Sequence, residues 1–203
     1  PGDIAFSDVK KYFEKTLSSP ATVILLNEAA ECPPGKVILV VPQPFEAYDS
    51  LVREFRPFEP LTEAVSPRAD IHPTAILEPG VVIAANVKIG AYCHIQANTY
   101  IGEYTIIGDY VSIGPNSIIG SDAFYYKKRP EGFDQLLSGG RVVIEDKVGI
   151  GALCTIDRGV TGDTTIGEGS KLDNQVHVGH DTVIGKKCLI ASQTGIAGCV
   201  VIE

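Results

Sequence analysis

The chain has 203 residues, enough for one or two domains, and 44% of them are hydrophobic, so a core is affordable. The formal net charge of -8 argues against a protein that tracks nucleic-acid phosphates. No apolar run approaches the length of a membrane span, and no secretory signal is visible.

Residues 1–60 read as a small α/β domain. Asp8-Val-Lys-Lys-Tyr-Phe-Glu-Lys-Thr-Leu17 predicts a short helix with Asp8 near its start. Ala21–Leu26 and Lys36–Val41 are continuous apolar runs that predict buried strands. Pro44–Phe55 predicts a helix with proline in its first turn. Arg56-Pro-Phe-Glu-Pro60 predicts a linker, because two nearby prolines resist both helix and sheet.

From Val65 onward an aliphatic residue recurs every six positions. The first run is Val65, Ile71, Leu77, Ile83, Ile89, Ile95, Ile101, Ile107, Ile113 and Ile119. Ile144, Ile150 and Ile156 follow, then Ile166, Leu172, Val178, Ile184, Ile190, Ile196 and Ile202. A helix repeats near 3.6 residues and a strand near 2.0, so a sustained beat of six fits neither alone. It fits a β-solenoid in which each hexad is one short strand and one corner. From Ile71 onward a small or β-branched residue sits two residues before the aliphatic position, such as Cys93, Thr99, Ser117 or Thr182. Glycine often follows the aliphatic residue, as at Gly102 and Gly179, which suggests corners of positive φ.

The beat breaks twice. Residues 121–141 lack it and carry Phe124-Tyr-Tyr126 followed by Lys127-Lys-Arg129, an excursion that predicts function. Asp157–Asp163 predicts a small bulged corner. The domain from 61 to 203 begins without an initiating Met anywhere upstream and stops in mid-hexad, so the chain reads as part of a longer one.

The five cysteines are Cys32, Cys93, Cys154, Cys188 and Cys199. Three take the small inward place of a hexad and read as buried thiols. Their spacing suggests no metal site, and the odd count suits a reducing, cytoplasmic compartment.

Leu172-Asp-Asn-Gln-Val-His-Val-Gly-His-Asp-Thr-Val-Ile184 gathers the chemistry. With Val176 and Val178 inward, His177 points outward, and His180 falls at the corner after Gly179. A carboxylate beside an imidazole fixes its tautomer and raises its basicity, so a general base is one reading and an inert surface histidine another.

The hexads resemble the hexapeptide-repeat superfamily, which implies a mainly β fold: a left-handed parallel β-helix, here preceded by the α/β domain. Gly140–Gly159 with its Ile-Asp-Arg-Gly, then Leu172-Asp-Asn-Gln and Val178-Gly-His-Asp, resemble the UDP-3-O-acylglucosamine N-acyltransferases of lipid A biosynthesis. The resemblance implies transfer of a 3-hydroxyacyl chain from acyl carrier protein, through its phosphopantetheine arm, to the 2-amino group of the nucleotide sugar. No cofactor and no metal is implied, and a homotrimer is. His180 matches the family's general base, Asp173 its carboxylate, and Gly198 the glycine whose N–H meets the oxyanion. Phe6 and Tyr12, in a segment that starts at Gly2, match aromatics that contact uracil. Asn174, His177, Asp122, Phe124 and Tyr126 match the nucleotide-sugar side of the site. Val9 stands where the family has an asparagine, Ala123-Phe-Tyr-Tyr126 where it has Gly-Phe-Gly-Tyr, and His177 where it often has glutamine. An acetyl-CoA-dependent sugar-amine N-acetyltransferase and a non-catalytic hexapeptide-repeat binding protein remain alternatives.

Overall fold

The computed structural model describes residues 3–203, so Gly2 lies outside the described residues. The chain divides into two compact units, one ending at Phe58 and one spanning Glu59–Glu203.

In the first unit β1 (Ile4–Ser7), β2 (Val23–Leu26) and β3 (Val37–Val40) form a parallel sheet with β2 in the centre. Ile24, Leu25 and Leu26 are buried, as a central strand covered on both faces requires. Phe13, from the short helix α1 (Phe13–Leu17), joins Ala21, Ile24 and Leu26 in the core. A 3-10 turn, Lys10–Tyr12, takes the place of the first turn expected of that helix. Helix α2 (Pro44–Phe55) starts on proline and buries Phe45 and Tyr48. The expectation that Lys36–Val41 is buried fails: β3 is an edge strand with Val37, Leu39 and Val40 exposed. An apolar run signals β propensity, and propensity does not distinguish an edge from a centre.

The second unit is the left-handed parallel β-helix. Three parallel sheets, of seven, six and six short strands, form its faces. Ile71, Ile89 and Ile107 stand in register on successive coils, so one coil is eighteen residues, or three hexads. The aliphatic column of each face points inward, and Ile83, Ile95, Ile101, Ile113, Ile119, Ile156, Ile166 and Ile184 are fully buried. Most small inward residues that are polar are satisfied by a carbonyl of the next coil, the buried Thr105 hydroxyl being an exception. Ser117 Oγ donates to Gly151 O at 2.9 Å, Ser170 Oγ to Gly185 O at 2.7 Å and Thr182 Oγ1 to Ala197 O at 2.9 Å. Cys93 and Cys154 fill equivalent places, where burial pushes their thiols up and leaves them inert at neutral pH.

The corners correct one expectation. Positive φ falls three residues after the aliphatic position, at Asn98, Tyr104, Leu153, Gln175, Asp181 and Cys199 among others, and, apart from Gly120 with its φ of 84°, not at the glycine that follows it. That glycine is needed for close approach between coils. A Cβ on Gly102 would lie 2.5 Å from Gly120 O, and one on Gly179 would lie 2.6 Å from Gly198 N.

The excursion after Ile119 is a β-hairpin, Tyr126–Arg129 paired antiparallel with Gly132–Gln135. The solenoid absorbs it without losing register, since Ile107 pairs with Ile144 and Ile119 with Ile156. The bulged corner Asp157–Asp163 leans on the end of the first excursion: Gly139 N donates to Val160 O and Gly140 N to Gly159 O, both at 2.9 Å. Among the described residues no helix is long and apolar enough to cross a membrane.

Candidate active site

The strand His177–Val178 and the corner after it place two histidines in different surroundings. His177 points outward from its face and is half exposed. Its Nδ1 is hydrogen-bonded to Thr155 Oγ1 at 2.7 Å, from the coil one step earlier. Its Nε2 lies 3.9 Å from Oδ2 of the buried Asp157, whose Oδ1 accepts a hydrogen bond from Ser121 Oγ at 2.7 Å.

His180 is enclosed, with 15% of its side chain exposed. Its Nδ1 lies 2.8 Å from Asp181 Oδ2. An ionised carboxylate only accepts, so Nδ1 carries the proton and the lone pair of His180 is on Nε2. Asp181 is itself held by the bulged corner: Val160 N donates to Oδ2 at 2.8 Å and Gly162 N to Oδ1 at 2.9 Å. Its own N–H donates to Thr164 Oγ1 at 2.9 Å. Burial, the largest single influence, pushes the Asp181 carboxyl up. The hydrogen bond from His180, those from Val160 and Gly162, and the attraction of His180 outweigh burial and hold the carboxyl below its ordinary range.

Gly198 lies one coil after His180. A Cβ there would sit 2.6 Å from His180 Nε2 and 2.8 Å from Cδ2 and Cε1, so the missing side chain is the space the imidazole occupies. Among the described residues the Gly198 N–H has no hydrogen-bond acceptor. Tyr125 meets the ring from the excursion, edge-on, with centroids 5.7 Å apart.

Asp173 does not touch His180. It is exposed, and its Oδ1 accepts a hydrogen bond from the next backbone N–H, Asn174 N, at 2.7 Å. The carboxylate partner of His180 is Asp181. The reason is geometric: Asp173 follows Leu172 on one face, whereas His180 follows Val178 on the next, so the two stand at different corners of the coil. Asn174 Oδ1 accepts from Ala152 N at 2.7 Å and ties two coils together. Asp122 is bound by Arg158, whose Nε donates to Oδ1 at 2.8 Å, and so clamps the root of the excursion to the bulged corner. Phe124 and Tyr126 are exposed and touch each other with centroids 5.0 Å apart. Phe6 and Tyr12 belong to the first unit. Phe6 packs on Tyr48 at 5.1 Å and Phe45 at 6.4 Å, and Tyr12 is exposed with Lys11 Nζ 4.6 Å from its ring centre.

Sequence reasoning passed over Tyr125 and the partner role of Asp181. The signal for Tyr125 was alternation: in an extended Phe124-Tyr-Tyr126, the middle ring faces opposite to its neighbours. For Asp181 it was adjacency to the histidine, at a corner where a left-handed φ of 53° swings the carboxylate round.

Asp181→Asn tests the tether. The variant loses the charge that fixes the His180 tautomer, and any proton transfer at Nε2 is expected to slow about ten- to a hundredfold. The same change alters acid stability. The native carboxyl titrates below the unfolded value, so its stabilisation is complete above about pH 4 and is lost as pH falls through the folded pKa. Acid unfolding of the Asn variant lacks that limb.

The bacterial transferase hexapeptide family (six repeats) matches residues 68–103 and 163–198, the second of which contains both histidines and Gly198. The UDP-3-O-acylglucosamine N-acyltransferase of Rhizobium johnstonii is 52% identical over 80 residues, 39% of this chain and 23% of that protein. The one from Caulobacter vibrioides is 48% identical over 85 residues, 42% of this chain and 25% of that protein. The matched stretch therefore spans about a quarter of the length of these relatives. Among solved structures, a UDP-N-acetylglucosamine acyltransferase of Francisella novicida superposes with a TM-score of 0.56 at 26% identity, over 68% of this chain and 55% of that one. A UDP-N-acetylglucosamine acyltransferase from Campylobacter jejuni does so with a TM-score of 0.51 at 27% identity, over 68% and 54%. Repeat and coil geometry make the second unit a hexapeptide-repeat β-helix, two stretches of which match the bacterial transferase hexapeptide model, and about two fifths of the chain is similar to UDP-3-O-acylglucosamine N-acyltransferases.

Proposed function

We propose that this chain is an N-acyltransferase that moves a 3-hydroxyacyl group from acyl carrier protein to the 2-amino group of UDP-3-O-acylglucosamine. One observation carries the reading: an enclosed histidine, fixed by a carboxylate, lies directly under a glycine of the next coil in a hexapeptide solenoid.

The chemistry follows from those atoms. Nε2 of His180 accepts a proton from the attacking amine as nitrogen bonds to the thioester carbon. The carbonyl oxygen gains charge, and the Gly198 N–H is the donor proposed to meet it, a kind of contact that contributes several kcal/mol. Collapse of the tetrahedral intermediate breaks the C–S bond. The imidazolium returns its proton to the departing phosphopantetheine thiolate, leaving an amide, a free thiol and a neutral histidine. Asp181 keeps the ring in one tautomer throughout. Asp173 is proposed as a carboxylate at the periphery of the site rather than as the orienting partner of His180. Phe6 and Tyr12 supply aromatic surface for uracil, and Asn174, His177, Asp122, Phe124 and Tyr126 the surroundings of the sugar. The enzyme works as a homotrimer in the cytoplasm, with the carrier's arm as co-substrate and no further cofactor.

An acyl-transfer assay with UDP-3-O-acylglucosamine tests this. Amide product is expected from hydroxyacyl carrier protein, with kcat/KM at least about a hundredfold above that for acetyl-CoA. Equal or better use of acetyl-CoA would move the chain to the sugar-amine N-acetyltransferases. No product from either donor, with the protein folded, would favour a binding role.

A further inference from the structure

The coil pitch that stacks Gly198 on His180 also stacks Cys199 on Asp181, eighteen positions apart. Both are corner residues with left-handed backbones, φ 53° at Asp181 and 61° at Cys199, so their side chains leave the same corner in the same sense. Cys199 N donates to His180 O at 2.8 Å, which holds the two coils at ladder distance. Because residue 198 has no side chain, the imidazole reaches under the upper coil toward the sulfur. One imidazole nitrogen, one Asp181 carboxylate oxygen and Cys199 Sγ all lie within 4.8 Å of one another.

We propose that His180, Asp181 and Cys199 bind a divalent transition-metal ion of the zinc class. Nitrogen, oxygen and sulfur are the donors such an ion takes, with bonds of about 2.0–2.3 Å and hence ligand–ligand edges of about 3.3–3.8 Å. Closing from the observed spacing needs about 1 Å of side-chain rotation, well within the reach of an exposed cysteine. Three protein ligands leave a fourth position open. One of the three donors is placed before any ion arrives. Asp181 is oriented by the Val160 and Gly162 amides. His180 and Asp181 exchange their mutual hydrogen bond for the ion, since Nδ1–H and Oδ2 cannot keep that bond while both residues ligate one metal. The third, Cys199, is exposed, unlike the buried Cys93 and Cys154, so an ion can reach its sulfur from solvent. The spacing of His180 and Cys199, one coil plus one residue, matches no linear metal motif, which is why the sequence does not display the site.

Binding stands on these donors alone. Its consequence rests on the transferase reading: an imidazole committed to a metal has no lone pair for an amine proton, so metal occupancy and base catalysis exclude each other.

Titration of the whole chain with Co2+ as a spectroscopic probe, followed by Zn2+ competition, tests the site. A sulfur-to-cobalt charge-transfer band that saturates at a single equivalent is expected. Cys199→Ser should abolish the band and weaken Zn2+ binding at least about tenfold, His180→Ala should weaken it similarly, and Cys32→Ser, at the other exposed cysteine, should change neither. Thermal melts of each variant check folding. Should Cys199→Ser fold poorly, Zn2+ protection of Cys199 from iodoacetamide in the unaltered protein gives the same answer. No band, a band that follows Cys32, or affinity unchanged in Cys199→Ser would overturn the proposal. Zn2+ inhibition of acyl transfer that disappears in Cys199→Ser supports the consequence. A saturating band in a protein with no transferase activity would retain the metal site and reject the transferase reading instead.

Discussion

His180→Ala is expected to lower kcat by roughly two to four orders of magnitude while leaving nucleotide-sugar binding nearly unchanged. The geometry of the imidazole suits proton transfer: enclosed, locked in a single tautomer by Asp181 and close to the Gly198 backbone. His177→Ala provides the contrast. That ring is half exposed and hydrogen-bonded to Thr155, so its loss should cost less. Steady-state kcat and KM for both variants, with binding measured by calorimetry, decide between them. Equal damage from the two, or none at His180, would reject the assignment of the base.

Gly198→Ala should lower kcat by roughly a hundredfold or more with little change in thermal stability. Gly198 does not have a positive φ, so an alanine backbone is tolerated there. The added methyl would lie 2.6–2.8 Å from three atoms of the His180 ring, and the ring is the part that can move. Its displacement breaks alignment with the reacting amine, and misplacement of about 1 Å is enough to cost a hundredfold. The backbone N–H remains, so the variant separates the space above the histidine from any role of the amide. A melting temperature lowered by more than about 10 °C would instead make Gly198 a structural requirement of the coil. Wild-type kcat would show that the imidazole position is not critical.

The beat of six determined the solenoid by itself, because a column of Val, Ile and Leu at that period can be buried in only one way: as the inner wall of stacked short strands. The pitch of eighteen residues, and with it the stacking of residue 198 on residue 180, was decided by the three faces of the folded coil. The two breaks in the beat marked where the chain leaves the coil, since a segment with no inward aliphatic residue has nothing to hold it in the wall. What those breaks do was decided by tertiary structure. The first becomes a hairpin that brings Tyr125 to His180, and the second becomes a corner whose amides hold Asp181. The choice between Asp173 and Asp181 was likewise only hinted at by the adjacency of Asp181 to His180. Both are acidic residues near His180 in the chain, and only the position of each on the triangular coil, with a left-handed φ at Asp181, says which carboxylate can reach the ring. Glycine in the hexad was read as a turn former, whereas the folded coil uses it for contact between neighbouring backbones, a demand set by the coil above and therefore absent from any local stretch of sequence. The grouping of Cys199 with His180 and Asp181 has the same origin: residues one coil apart in the chain become neighbours only when the solenoid winds.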